Sequence, residues 1–145
     1  MDESGSKGRG WLGVVSAEHV ARGFEGGFMQ VAHGKQAPLK RLKAGERVAY
    51  YSPGQTLGGP ADVKSITAFG IVADDDIVQV DMGGGFTPFR RRVRWLSNHR
   101  VPIAALQAEP GFALSGPGWG AKLRFGLVSL DADSMDAIER MMVGA

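Results

Sequence analysis

The chain has 145 residues, 43% of them hydrophobic and 22% charged, so it has room for one globular domain with one core. Its formal net charge of only +2 excludes a histone-like polycation. It contains no cysteine, which excludes disulfides, a thiolate nucleophile and cysteine-ligated metals.

The first ten residues are small and polar, and we predict a disordered tail over residues 1–10 with the domain at 11–145. They lack the apolar segment of a signal peptide. No apolar run approaches the roughly 20 residues needed to span a bilayer. The sequence therefore predicts a cytoplasmic protein with no membrane contact.

A first strand is predicted over residues 11–16, followed by a short helix that Ser16 caps and Gly23 ends. The helical spacing is set by Ala17, Val20, Ala21 and Phe24. A glycine-rich loop over residues 26–45 leads into a second strand over residues 46–52. Loops of this composition are more often functional than part of a core.

A third strand is predicted over residues 66–73, apolar on both faces and therefore central. Asp74-Asp75-Asp76 predicts a tight turn into a fourth strand over residues 77–82, where apolar and polar residues alternate. Three consecutive glycines, residues 83–85, end that strand.

The next strand, over residues 89–96, separates two sets of side chains. One face carries Phe89, Arg91, Val93 and Trp95. The other carries Arg90, Arg92 and Arg94, spaced about 6.6 Å apart. These arginines have no acidic neighbours in sequence and predict a ridge that contacts phosphates, extended by Lys40 and Arg41 if the fold brings them close. The alternative is a solvated strand face.

The last third of the chain is predicted as a loop over residues 98–118, in which residues 102–106 form a short helix or an edge strand. A final strand follows over residues 123–130, with Phe125 and Leu127 facing inward. A helix then starts near Asp131, and its buried stripe is predicted to contain Met135, Ile138 and Met142. We expect an α+β fold: a mixed or antiparallel sheet of five to six strands, curled into a small barrel and flanked by short helices.

Catalytic and metal signatures are absent from the sequence. The histidines His19, His33 and His99 lack metal-site spacing, and we place His19 and His99 at the solvated surface. No phosphate-binding loop and no paired carboxylates for acid–base chemistry are present. We therefore expect no metal, no cofactor and no enzymatic activity.

Short motifs through almost the whole chain, in order and spacing, resemble the EVE domain, a PUA-like family related to the YTH domains that read modified bases in RNA. They include Val14-Val15-Ser16-x-x-His19-Val20, Gly27-Phe28-x-Gln30-x-x-His33-Gly34-Lys35, Tyr50-Tyr51-Ser52-Pro53, Gly85-Phe86-x-Pro88-x-Arg90-Arg91-Arg92-Val93 and Arg124-Phe125-Gly126-Leu127. The resemblance implies a PUA-like barrel and a pocket for one nucleobase, flipped out of modified DNA or RNA.

Aromatic walls beside amide, imidazole and hydroxyl groups suit a flat polar ring, and we predict one pocket made of six residues: Phe28, Gln30, His33, Tyr51, Ser52 and Trp119. Gln30 would bond to a base edge and Tyr51 would stack on the base. The alternatives are that Gln30 and His33 only satisfy loop backbone, and that Tyr51 belongs to the core.

The leading hypothesis is a monomeric, non-catalytic module that binds DNA or RNA carrying a modified base. A second is a sensor of a small molecule or nucleotide that uses the same pocket without nucleic acid. A third is an enzyme acting on a base or nucleoside, with His33 as proton carrier.

Overall fold

A computed structural model describes residues 8–144 of the chain. Seven strands, four α-helices and two 3-10 turns follow one another as β1 Gly10–Val14, α1 Ala17–Gly26, β2 Phe28–Met29, a 3-10 turn Ala32–Gly34, α2 Gln36–Leu39, β3 Arg47–Ser52, β4 Ser65–Gln79, β5 Phe89–Ser97, β6 Val101–Pro102, α3 Ile103–Gln107, a 3-10 turn Trp119–Leu123, β7 Leu127–Leu130 and α4 Ala132–Val143. Most of the predicted tail, residues 1–7, lies outside the described residues. Within residues 8–144, no helix has both the length and the apolar character needed to cross a bilayer.

The strands form one open sheet, in the order β2-β5-β4-β3-β1-β7, with β6 also paired to β4. Strands β1 and β3 are parallel and the other pairs are antiparallel. The α+β class and the mixed sheet are as predicted, but the sheet has seven strands instead of five or six, and the predicted barrel is wrong because the sheet is not closed. Just beyond β2, the backbone N–H and carbonyl of Gln30 bond to the Tyr50 hydroxyl at 2.9 and 3.1 Å. A side chain, not a further strand, thus satisfies the backbone at this edge.

The predicted turn at Asp74–Asp76 is also wrong, because β4 continues through it as one strand of 15 residues. Val72 pairs with Val93 and Ile77 with Arg91, so β4 advances five residues where β5 advances two. The extra residues form a bulge. The side chain of Asp74 accepts from the Asp76 N–H at 3.0 Å, which stabilises the bulge locally without reversing the chain.

Helix α1 has the predicted N-cap, because the Ser16 hydroxyl accepts from the His19 N–H at 3.4 Å. It does not end at Gly23. It continues to Gly26 and ends at Gly27, whose φ of +72° is the left-handed conformation that glycine favours. Gly23 instead permits close packing, since a Cβ there would lie 2.7 Å from the carbonyl oxygen of Phe28.

The last predicted strand is shorter than expected, and β7 begins only at Leu127. Gly126, at φ +81°, interrupts the extended chain just before it. Phe125 is 76% exposed, so its predicted inward orientation is wrong. The final helix is as predicted, and its buried stripe contains Met135, Ile138 and Met142.

The sheet is covered on both sides. Helices α3 and α4 cover one side, where Leu12, Tyr51 and Phe69 are buried with Ile138. Helices α1 and α2 cover the other side, in a second cluster that contains Trp11, Val20, Met29, Leu39, Val48, Tyr50 and Val93. Because side chains alternate along a strand, the consecutive residues Tyr50 and Tyr51 lie on opposite sides of the sheet.

Candidate functional site

A cleft of about 660 Å³ opens between the start of α1, the chain after β2, and the hairpin that joins β4 to β5. Its wall includes residues from five separate stretches of chain: Val14, Val15, Ser16, Glu18, His19, Arg22, Phe28, Gln30, Val31, Ala32, His33, Gly34, Lys35, Leu57, Met82, Phe86, Arg90, Leu123, Arg124, Phe125 and Gly126. Phe28, Gln30 and His33 are therefore brought together as the sequence predicts.

Three side chains form the floor of the cleft. The guanidinium carbon of Arg90 lies 3.8 Å from the centre of the Phe28 ring, which is a close cation–π contact. Its Nε donates to the side-chain oxygen of Gln30 at 2.9 Å. Burial lowers the pKa of Arg90, but an arginine remains charged at neutral pH. The floor thus presents a fixed positive charge beside an aromatic ring.

Gln30 is held rigidly by Tyr50, whose hydroxyl bonds to both its backbone N–H and its carbonyl. Burial raises the pKa of Tyr50, which keeps this hydroxyl protonated and able to donate. The Tyr50 ring is in turn stacked on Trp95, with centroids 5.3 Å apart. The side-chain amide nitrogen of Gln30 has no acceptor among residues 8–144, so it can donate to a ligand.

His19, which the sequence reasoning placed at the solvated surface, lines the cleft and is half-buried. Its Nε2 lies 3.2 Å from the carbonyl oxygen of Gln30. Burial and the neighbouring charge of Arg22 lower the pKa of His19, so the ring is neutral at physiological pH and its Nε2–H donates. No local signal predicts this contact, because Gln30 lies 11 residues further along the chain.

The wall at His33 has an unusual backbone. Ala32, His33 and Gly34 lie in the left-handed region in succession, with φ of +50°, +60° and +83°. Such a conformation costs about 1–2 kcal/mol for each non-glycine residue, and strain of this kind concentrates at functional sites. Gly34 is also sterically required, since a Cβ would lie 2.4 Å from the Cβ of Pro88.

Charge in the cleft is strongly one-sided. Arg22, Lys35, Arg90 and Arg124 line it, against the single carboxylate of Glu18. Such a wall attracts an anionic ligand. No cluster of His, Asp and Glu within residues 8–144 is placed to hold a metal ion.

The other three predicted pocket residues lie elsewhere. Tyr51 and Trp119 pack edge to face, with centroids 6.0 Å apart, on the side of the sheet covered by α4. Ser52 is buried, with its hydroxyl 2.8 Å from that of Thr67. This corrects the prediction that all six residues line one pocket. Tyr51 is directed away from the cleft because its neighbour Tyr50 is directed toward it.

The predicted arginine ridge is also divided. Arg90 belongs to the cleft floor, whereas Arg92 pairs with Asp74 and Asp76 of the bulge at 3.0 and 3.6 Å. Arg94 is exposed on the same strand. The acidic partners were missed because they come from β4, not from nearby in sequence.

Lys40 and Arg41, the predicted extension of the ridge, do not line the cleft. The Arg41 guanidinium lies 4.8 Å from the Trp11 ring, on strand β1, which is separated from β5 by β3 and β4. The segment that carries them nevertheless lies against β5, because the buried Arg91 donates to the carbonyls of Leu39 and Leu42 on either side of it.

Comparisons with known proteins agree on one family. The model of the EVE domain matches residues 9–141. A UPF0310 protein of Mesorhizobium japonicum is 46% identical over 122 residues, covering 83% of this chain and 82% of the relative. A UPF0310 protein of Streptococcus sanguinis is 42% identical over 126 residues, covering 86% of each.

Solved structures show the same fold at low identity. The NMR structure of Rpa0253 from Rhodopseudomonas palustris aligns with a TM-score of 0.57 at 17% identity, covering 91% of each chain. The YTH domain of Zygosaccharomyces rouxii MRB1, solved in complex with N6-methyladenosine RNA, aligns with a TM-score of 0.58 at 14% identity, covering 92% of this chain and 87% of that one.

Proposed function

Because this chain belongs to the EVE domain family, we propose that it is a nucleic-acid-binding module that holds one nucleobase in the cleft above Phe28, Gln30 and Arg90. The cleft floor is the observation that carries the proposal. It combines a stacked guanidinium, a rigidly held amide donor and a basic wall. YTH domains that share this fold were solved in complex with RNA, which supports a nucleic acid as the ligand.

The base would be recognised by stacking and by one hydrogen-bonded edge. Phe28 lies against one face of the Arg90 guanidinium, and the nucleobase would stack on the opposite face, as proteins stack bases on arginine elsewhere. The Gln30 amide nitrogen would donate to a carbonyl or ring nitrogen of the base. Tyr51, Ser52 and Trp119 have no part in this arrangement.

The phosphates flanking the base would contact Arg22, Lys35 and Arg124, which line the wall. Such contacts supply affinity but no sequence information. Selection for a modified base has to come from the cleft. One buried methyl contributes only about 0.8 kcal/mol, so sharper selection requires that an unmodified base leave a polar group such as the Gln30 amide unpaired.

The proposed ligand is a modified base in RNA or DNA, and N6-methyladenosine is the first probe because a YTH neighbour in fold was solved with it. We propose a binding role without catalysis, carried out by a monomer in the cytoplasm. A proton-carrier role for His33 would require product formation that His33→Ala abolishes.

Calorimetric titration with short single strands containing one modified adenine tests the proposal. Arg90→Ala should weaken binding about tenfold or more, because loss of one stacking partner costs about 1–3 kcal/mol. Arg92→Ala is the matched control, since Arg92 lies two residues along the same strand but pairs with Asp74. It should change affinity less than twofold.

NMR shift mapping with the same ligands locates the site. Shifts confined to the residues around Tyr51 and Trp119 would overturn the cleft assignment. Binding of a free nucleoside by a protein that ignores every oligonucleotide at low salt would favour the small-molecule sensor.

A further inference from the structure

The mouth of the cleft is apolar although its wall is basic. Among residues 8–144, five large hydrophobic side chains are exposed, and four of them line this cleft. These four, which we call the apolar rim, are Leu57 (79% exposed), Met82 (50%), Phe86 (44%) and Phe125 (76%). The fifth, Val143, lies at the end of α4. Single exposed apolar residues are ordinary, but concentration at one site indicates a binding surface.

The two phenylalanines are presented by tight turns. Phe86 closes the tip of the β4–β5 hairpin, where the Met82 N–H donates to the Phe86 carbonyl at 2.9 Å and the Phe86 N–H donates to Gly83 at 3.0 Å. The ring also lies against the turn Ala32–Gly34, since a Cβ on Gly34 would come within 3.5 Å of it.

Phe125 is held near the same turn by its neighbour in the chain. A Cβ on the next residue, Gly126, would lie 3.5 Å from Ala32. The Phe86 ring and the backbone beside Phe125 therefore both lie close to the left-handed turn that carries His33, and both phenylalanines line the cleft.

Charge identifies the kind of partner. Three cations of the wall lie at the same mouth, and the Arg124 guanidinium is 5.7 Å from the Phe125 ring. Protein surfaces that bind single-stranded nucleic acid interleave aromatic rings with basic groups in this manner, because each nucleotide offers a flat base and a phosphate. A purely apolar partner would leave these cations desolvated and unpaired.

We propose that Phe86 and Phe125 stack on the nucleotides that flank the captured base, so that the preferred partner is a single strand of at least three nucleotides. This deepens the proposed function and rests on it. In a duplex the flanking bases are already stacked on their neighbours, and the rings could reach them only by unstacking a step at a cost of a few kcal/mol. A single strand offers its base faces directly.

The test compares the 5′-monophosphate of N6-methyladenosine with five-nucleotide single strands of RNA and of DNA carrying that base at the centre. The wild-type protein should bind the better strand at least tenfold more tightly than the monophosphate. Phe86→Ala and Phe125→Ala should each weaken strand binding about fivefold or more. Each should weaken strand binding by a clearly larger factor than monophosphate binding.

Three further variants make the readout specific to stacking. Val143→Ala removes an exposed apolar side chain remote from the cleft and should have no effect. Phe125→Tyr retains a ring and should bind the strand like wild type, whereas Phe125→Leu retains apolar area without a ring and should not. Because Phe86 contacts the turn at Gly34, the thermal unfolding of Phe86→Ala is measured as well. If Phe86→Ala proves unstable, the binding data for Phe125→Ala alone decide the test.

The outcomes separate the two proposals. If wild type binds neither monophosphate nor strand, the proposed function fails and the rim proposal fails with it. If the monophosphate binds at the cleft but the strand adds nothing, only the rim proposal is overturned. It is also overturned if a duplex binds as tightly as the single strand, because the rings would then insert between stacked base pairs. A Phe125→Ala variant that changes only self-association of the protein would overturn it too.

Discussion

At the scale of single residues, two donors converge on the carbonyl oxygen of Gln30: the Tyr50 hydroxyl at 3.1 Å and His19 Nε2 at 3.2 Å. Tyr50 can donate only while it is protonated, whereas the Nε2–H of His19 donates from both the neutral and the protonated ring. Burial holds Tyr50 in its protonated form, and burial together with Arg22 holds His19 neutral by lowering its pKa. Protonation of His19 would keep this hydrogen bond but place a charge in a half-buried site beside Arg22, so the stability of the fold is coupled to pH through His19.

The sign of that coupling follows from the direction of the shift. With a pKa below its ordinary value of 6.5, His19 binds protons more readily in the unfolded chain than in the folded one. Its contribution to stability is complete above about pH 6.5 and is lost as the pH falls below that value toward the folded-state pKa. Thermal unfolding of wild type should therefore shift to lower temperature between pH 7.5 and 5.5.

His19→Gln should reduce this dependence on pH, because glutamine can donate to the same carbonyl without titrating. His99→Gln is the control, since it removes an exposed histidine outside the cleft. An unchanged slope in His19→Gln would contradict the assignment.

At the scale of elements, the bulge in β4 is joined to α2 by one buried arginine. Arg91 donates to the carbonyls of Leu39 and Leu42 at 3.0 and 2.8 Å and to the carbonyl of Asp74 at 2.5 Å. Three carbonyls from two separate segments thus depend on a single guanidinium. This explains why an arginine occupies the apolar face of β5.

We expect Arg91→Met to lower the free energy of unfolding by about 3 kcal/mol, because it leaves several buried carbonyls without donors. Arg92→Met, one residue along, should cost less than about 1 kcal/mol, since it removes only exposed ion pairs. Urea unfolding of both variants provides the comparison. Equal losses would mean that burial of Arg91 contributes little.

The elements were predictable where a local pattern decides them. The cap at Ser16, the stripe of α4 and the two faces of β5 follow from spacing alone. The bulge in β4 could not be predicted in this way. Three consecutive aspartates favour a turn in isolation, and only pairing with β5 keeps them extended. The barrel was wrong for a similar reason, because no local pattern decides whether the outer strands β2 and β7 pair to close the sheet.

At the scale of the whole molecule, half of the predicted pocket could be found from sequence. Phe28, Gln30 and His33 come from one loop, so their proximity is local. Arg90 comes from 60 residues away, and its contact with Gln30 depends on the pairing of β2 with β5. Tyr51 and Trp119 lie across the sheet, because which of two adjacent tyrosines faces the cleft is decided by strand pairing.

Because Lys40 and Arg41 do not line the cleft, the salt dependence of binding distinguishes the two groups of basic residues. With three cations of the cleft wall contacting phosphates, the logarithm of the association constant for a single strand should fall with the logarithm of salt concentration at a slope of about −2.1. Lys35→Ala should reduce the magnitude of that slope by about 0.7. Lys40→Ala and Arg41→Ala should leave it unchanged, and a reversed pattern would place the phosphates on the other region.

The hairpin arm of residues 80–88 can be exchanged only as a unit. Its strands remain paired beyond the bulge, with Val80 bonded to Pro88 and Met82 to Phe86. The three glycines between them, residues 83–85, lie in open space but have φ of +83°, +62° and +82°, so a side chain at any of them would strain the backbone. Exchanging the whole arm between relatives, with its strand pairing retained, would test whether it contributes to ligand preference.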